Sequence, residues 1–181
     1  MRFEQGEIEG VVLIHPQVLG DSRGYFFEIF RSEEFAREVC DRTFVQENQS
    51  LSHRGVVRGL HFQRGDAAQA KLVSVAMGKV RDIVVDLRKD SPTFGKWTAY
   101  EIDDQTHTQI YIPRGLAHGF VVLSEVAVLQ YKCDAVYAPD AESGVLWCDP
   151  TLNIDWGISP AEAMVSDKDQ KWPQWQECYK F

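Results

Sequence analysis

Two histidines interrupt apolar runs in this chain, each with glycine close by. Arg58 and His61 break the run Val56-Val57-Arg58-Gly59-Leu60-His61-Phe62-Gln63, and His118 sits in Pro113-Arg-Gly-Leu-Ala-His118-Gly-Phe120, leading into Val121-Val122-Leu123. A polar group placed where a core residue would fit costs about 1–3 kcal/mol unless it finds partners. Paired histidines in a strand-rich chain suggest a metal, yet the stretch around His61 lacks a His-x-His with a following Glu. One imidazole beside the Gln63 amide is a poor set for an ion that needs three or four ligands, so no metal site is expected. Three further segments have ordinary readings when taken singly. Tyr131 in Val128-Leu-Gln-Tyr131-Lys132 is a good strand former with its hydroxyl at a rim, Lys71 is a strand-end cation, and Ser166-Asp167-Lys168-Asp169 is a solvated turn.

These residues need a scaffold, and the pattern of the chain says which. Its 181 residues, 44% hydrophobic and 25% charged, suit one globular domain over 1–181 with a core large enough to need neither disulfides nor a structural metal. Short β-rich runs separated by turn signals predict an all-β sandwich or barrel. The candidate strands are Val11–His15, Tyr25–Phe30, Lys71–Met77, Val80–Leu87, Trp97–Ile102, Gln109–Pro113, His118–Leu123 and Val126–Cys133. The Ile83-Val84-Val85 centre of one of them predicts burial on both faces, inside a sandwich or at a subunit contact. A covering helix is predicted after Ser32, which can cap it, with Phe35 and Val39 on its buried stripe, and a second helical turn after Ser159-Pro160.

The formal charge of −8 argues against a phosphate-tracking nucleic-acid surface but not against a confined cationic pocket. No stretch reaches the roughly 20 apolar residues of a membrane helix, and no leader is evident, so a cytoplasmic protein with no membrane partner is expected. Cys40, Cys133, Cys148 and Cys178 are far apart and read as reduced packing residues.

Taken together, the segments closely resemble the dTDP-4-dehydrorhamnose 3,5-epimerase family. The match runs in order through Asp21-Ser-Arg23-Gly-Tyr-Phe26-Phe-Glu28, Gln46-Glu-Asn48, Arg58-Gly-Leu-His61-Phe, Lys71-Leu-Val, Ser91-Pro-Thr-Phe-Gly-Lys-Trp97, Pro113 to Phe120, Tyr131-Lys and Ser166-Asp167-Lys168-Asp169. The resemblance implies a cupin-type jelly roll of antiparallel strands without metal or cofactor. It also implies a homodimer that exchanges N-terminal strands, and a nucleoside-diphosphate 4-keto-6-deoxy sugar as substrate. Protons at C3 and C5 of such a sugar flank the ketone, and inversion needs a base on one face, an acid on the other and a charge beside the enolate oxygen.

By the resemblance His61 is the base, Tyr131 the acid, Lys71 the cation at the enolate, and Asp167 the carboxylate that orients His61. His118 supports the sugar, and Arg58 and Lys168 hold the diphosphate. Arg23, Phe26 and Glu28 are lent to a neighbour's site, Gln46 and Asn48 bond the nucleotide, and Tyr137 stacks on its base. The loop Arg64-Gly-Asp-Ala-Ala-Gln-Ala70, Ser74 and Gln130 depart from the family's commoner pattern. They leave open inversion at one centre only, a GDP-linked sugar, or 3,4-ketoisomerisation on the same fold, beside a non-catalytic sugar-nucleotide binder. The retained Tyr131 and Arg58-Gly-Leu-His61 favour the epimerase.

Overall fold

The structure, a computed structural model, describes all residues from 1 to 181. In chain order its strands are β1 (Arg2–Gln5), β2 (Val12–His15), β3 (Leu19–Asp21), β4 (Gly24–Phe26), β5 (Gln46–His53), β6 (Val56–Gln63) and β7 (Lys71–Met77). They continue as β8 (Lys79–Asp86), β9 (Trp97–Asp103), β10 (Gln109–Ile112), β11 (Leu116–Val122), β12 (Val126–Cys133), β13 (Glu142–Gly144) and β14 (Met164–Val165). One α-helix, α1 (Ser32–Glu38), lies between β4 and β5.

Twelve of these strands form two sheets. The first has the order β1-β2-β10-β7-β12-β5; the second has the order β13-β6-β11-β8-β9, with β14 added in parallel beside β6. All other pairings are antiparallel, and the remaining two strands form a separate hairpin, β3–β4. This is the all-β jelly roll expected from the sequence. No helix is long and apolar enough to cross a membrane.

Alternation along the strands builds three apolar layers. Val73, Val75, Val80, Val84, Phe120, Val122 and Leu129 meet between the sheets. The outer face of the second sheet (Val57, Leu60, Ile83, Val85, Val121) is covered by the C-terminal segment through Leu152, Trp156 and Cys178. That tail explains why β8 is buried on both faces without needing a subunit contact. The outer face of the first sheet packs Val12, Ile14, Leu72 and Tyr111 against Phe35 of α1.

The helix therefore covers an apolar face as expected, but Ser32 is its first residue rather than its cap; Arg31 holds the cap position with no side-chain bond. After Ser159-Pro160 the chain makes a turn, in which Glu162 accepts from the Ser159 amide and hydroxyl, and not a helix. The strand expected over Tyr25–Phe30 stops at Phe26, and Phe27 stacks on His107 at 4.3 Å.

Two strands that the apolar pattern does not announce, β5 and β6, carry much of the site. The residues of β5 that face the barrel interior are polar (Gln46, Asn48, Ser50, Ser52), so the usual inside-apolar alternation is inverted. In β6, Arg58 and His61 are three residues apart and would point to opposite sides of a regular strand. The ladder pairs His118 with His61 and Phe120 with Arg58, so β6 carries one extra residue and both side chains reach the same side.

Gly59 makes the bulge possible. Its φ is +119°, and a Cβ there would lie 2.5 Å from Gly119 Cα and 2.7 Å from the His118 carbonyl. Gly65, at φ +56°, has nothing within 4 Å of its virtual Cβ. Gly59→Ala is expected to lower stability by about 2–4 kcal/mol in urea unfolding, against about 1 kcal/mol for Gly65→Ala.

Candidate active site

The interior faces of both sheets meet in a small polar pocket at one end of the barrel. It is lined by Gln46 and Asn48 of β5, His61 and Gln63 of β6, Gln69, Lys71 of β7, Tyr131 of β12, Tyr137 and Glu142 of β13, and encloses about 90 Å³. Small-molecule sites commonly span roughly 300–1,000 Å³, so this space fits only the reacting part of a larger ligand, with the remainder across the mouth.

His61 is held by an acid from a distant segment. Its Nε2 lies 2.5 Å from Asp169 Oδ1, which also accepts from Trp172 Nε1 at 3.2 Å. Asp169 Oδ2 accepts the Gly59 amide at 3.3 Å. Burial would raise the Asp169 carboxyl, but the bonds from His61, Gly59 and Trp172 outweigh it and hold the group below the usual Asp range. With Nε2 given to a carboxylate, Nδ1 is the nitrogen free to act toward the pocket.

The expected partner was Asp167, and this assignment is corrected. Asp167 is exposed and makes no side-chain hydrogen bond, whereas Asp169, two residues on, is 4% exposed. A short 3-10 turn over Asp169–Lys171 turns Asp169 inward and Asp167 outward.

Lys71 and Tyr131 come from neighbouring strands of the first sheet, and the Lys71 ammonium lies 5.6 Å from the Tyr131 ring centroid. Burial pushes the Tyr131 phenol up, with the Arg58 charge opposing, so the hydroxyl keeps its proton. Burial pushes the Lys71 ammonium down, and nearby acidic groups push it back. His118 lies directly across the ladder from His61 and bonds through Nε2 to Asp82 Oδ2 at 2.7 Å, giving a second histidine–carboxylate pair. Burial drives its imidazole toward the neutral form.

At the mouth, Arg58 Nε donates to Ser52 Oγ at 3.0 Å. Lys168 pairs with Glu142 at 2.5 Å, and Glu142 also accepts from the Tyr137 hydroxyl at 2.7 Å. Gln46 accepts from the Tyr137 amide and donates to Asn48. Glu142 and Asp82 escape a sequence reading because their facing is decided by residues elsewhere in the chain, whereas Gln63, next to His61-Phe62, is read there only as a poor metal ligand.

Arg58, His118 and Lys168 thus stand beside the pocket rather than in its lining, and three further expected residues take no part in it. Arg23 pairs with Asp21 and its side chain is 88% exposed, Phe26 is 71% exposed at the end of the β3–β4 hairpin, and Glu28 pairs with Arg31.

A histidine–aspartate pair, a tyrosine and a lysine thus converge at one end of the jelly roll, the kinds of group that proton transfer at a carbon beside a carbonyl calls for. Comparison with known proteins narrows the class. The family model for dTDP-4-dehydrorhamnose 3,5-epimerase matches residues 5–177. The dTDP-4-dehydrorhamnose 3,5-epimerase of Methanothermobacter thermautotrophicus is 42% identical, over 97% of this chain and 95% of its own. The crystal structure of the enzyme of that name from Elizabethkingia anophelis superposes with a TM-score of 0.95 at 45% identity, covering 99% of both chains. That of the dTDP-6-deoxy-D-glucose 3,5-epimerase of Legionella pneumophila, in complex with dTDP-4-keto-L-rhamnose, gives 0.92 at 38% identity over 97% and 93%. The chain belongs to the dTDP-4-dehydrorhamnose 3,5-epimerase family.

Because Asp169 is held below the usual range in the folded state, it contributes stability that is present above its unfolded pKa, near pH 4, and is lost as pH falls through the lower folded value. The stability gap between wild type and Asp169→Asn should therefore be full at neutral pH and close toward pH 2. Asp167→Asn should open no such gap. Urea unfolding of the three proteins across that range checks both.

Proposed function

We propose that this protein inverts C3 and C5 of a dTDP-linked 4-keto-6-deoxy sugar, using its own side chains for every proton transfer. One observation carries the reading: His61 and Tyr131 face one cavity from opposite sheets, with Lys71 beside them. A sugar ring between the sheets would present one face to the imidazole and the other to the phenol. His61 removes the proton next to the C4 ketone, with Asp169 balancing the imidazolium that forms. The negative charge moves to the C4 oxygen, where the Lys71 ammonium stabilises it. Tyr131 then protonates the carbon from the opposite face, and the configuration is inverted.

Arg58 and Lys168 receive the diphosphate in this reading, Lys168 exchanging its bond to Glu142 for one to a phosphate oxygen. Tyr137 offers its ring to the base, with Gln46 and Asn48 as hydrogen-bonding partners, and His118 supports the sugar from the strand beside His61. The working form in this reading is a cytoplasmic homodimer in which the β3–β4 hairpin crosses to a second copy. Its support is the exposure of Arg23 and Phe26 on an arm that contributes no residue to the pocket around His61 and Lys71 of its own chain.

In deuterated water, enzyme and dTDP-4-keto-6-deoxyglucose should give product labelled at C3 and C5; label at neither position contradicts the proposal. His61→Asn should abolish exchange at both carbons. Asp169→Asn should slow it by about 10²-fold or more, while Asp167→Asn stays within about twofold of wild type. The shared site has its own test. Mixing the inactive variants His61→Asn and Arg23→Ala/Phe26→Ala should restore activity, since a mixed dimer holds one intact site, and absence of any recovery would confine the site to one chain.

A further inference from the structure

The carboxylate that orients His61 is itself oriented, by a side chain that the steps above do not use. Trp172 follows the short turn that carries Asp169, and its indole Nε1 donates to Asp169 Oδ1 at 3.2 Å, the oxygen that also meets His61 Nε2. The indole and the His61 imidazole form a T-shaped pair, with ring centroids 6.1 Å apart and planes at 70°. The Lys168 ammonium lies 5.7 Å from the indole centroid, within the range of a cation–π contact. One side chain therefore meets both the His61–Asp169 pair and the cation at the mouth.

The fold makes room for it. Gly144 of β13 pairs with His61 across the ladder, and a Cβ on Gly144 would lie 2.6 Å from Trp172 Cγ and Cδ2 and 2.6 Å from the Leu60 carbonyl oxygen. The indole thus fills the space that the glycine leaves open beside His61. The residue after it is tied down as well, since the Leu146 amide donates to the Pro173 carbonyl at 2.9 Å. Asp169 is 4% exposed, so a donor lost from Oδ1 would not be made good by bulk water. The titratable groups near Asp169 are His61 of β6 and Lys168, its neighbour in the chain, with Glu142 of β13 paired to Lys168.

We infer that Trp172 is a positioning residue of this site with two separable parts: its N–H keeps the Asp169 carboxylate aligned on His61, and its ring keeps Lys168 at the mouth for a phosphate oxygen. The inference deepens the epimerase reading and rests on it for the kinetic consequences, but not for the contact with Asp169.

Two variants separate the parts. Trp172→Phe keeps a ring and removes the donor, whereas Trp172→Leu removes both. In C3 and C5 exchange, Trp172→Phe should lower kcat by about fivefold or more with KM within about twofold, and Trp172→Leu should add a rise in KM of about threefold or more. A ¹³C NMR titration of the aspartate carboxyls without substrate, with Asp169 assigned from Asp169→Asn, should show a higher midpoint in Trp172→Phe than in the wild type, because a donor to the charged form is gone. Wild-type kcat in Trp172→Phe, or an unmoved Asp169 midpoint, overturns the first part; equal KM in the two variants overturns the second. If Trp172→Phe does not fold, the wild type decides: one of its five indole N–H signals should follow the Asp169 titration and cease to do so in Asp169→Asn, and none doing so overturns the inference. Wild-type protein that exchanges neither proton removes the epimerase reading, and the Asp169 titration still judges the contact.

Discussion

The contact between His61 and Asp169 is where the two halves of this architecture meet. His61 needs a bulged strand to point inward, and Asp169 needs the whole C-terminal segment to be packed before it can arrive. The same carboxylate takes the Gly59 amide, so the acid that orients the imidazole also clamps the bulge that aims it. Charge-assisted bonds of this kind are short and strong in a site shielded from water. The apolar packing of Leu152, Trp156 and Cys178 on the outer face of the second sheet thus has a consequence in the interior: it fixes where Asp169 stands.

Electrostatics sorts the remaining groups by sheet and depth. The chain carries a formal charge of −8, yet Lys71, Arg58 and Lys168 gather at one mouth of the barrel, a distribution suited to a single doubly charged ligand. The three cations rest differently. Lys168 is held by Glu142, Arg58 by the Ser52 hydroxyl, and Lys71 by no direct contact. Two of them are parked on groups that an anionic ligand can displace, and the third stands beside the Tyr131 ring.

Much of this was legible in the chain. β7 and β12 follow from their apolar pattern over the very residues seen, and the double burial of β8 follows from Ile83-Val84-Val85. β5 and β6 stayed hidden because the site inverts the rule used to find strands: their inward residues are polar where a pocket is to be built, and Gly59 breaks the period of β6. Asp167 was mistaken for Asp169 because Ser166-Asp167-Lys168-Asp169 has no periodicity from which facing can be read. The short turn over Asp169–Lys171 decides it, and the Trp172 indole donates to the Asp169 carboxylate it turns inward. Asp82 and Glu142 carry no local signal at all, since their partners are His118, Tyr137 and Lys168, from other segments.

Asp169 fixes His61 with Nε2–H toward the carboxylate and Nδ1 unprotonated toward the pocket. Long-range ¹H–¹⁵N correlation spectra of ¹⁵N-histidine-labelled protein read the tautomer directly. Neutral His61 should be the Nε2–H form in the wild type and should lose that preference in Asp169→Asn. A wild-type His61 protonated on Nδ1 would contradict it.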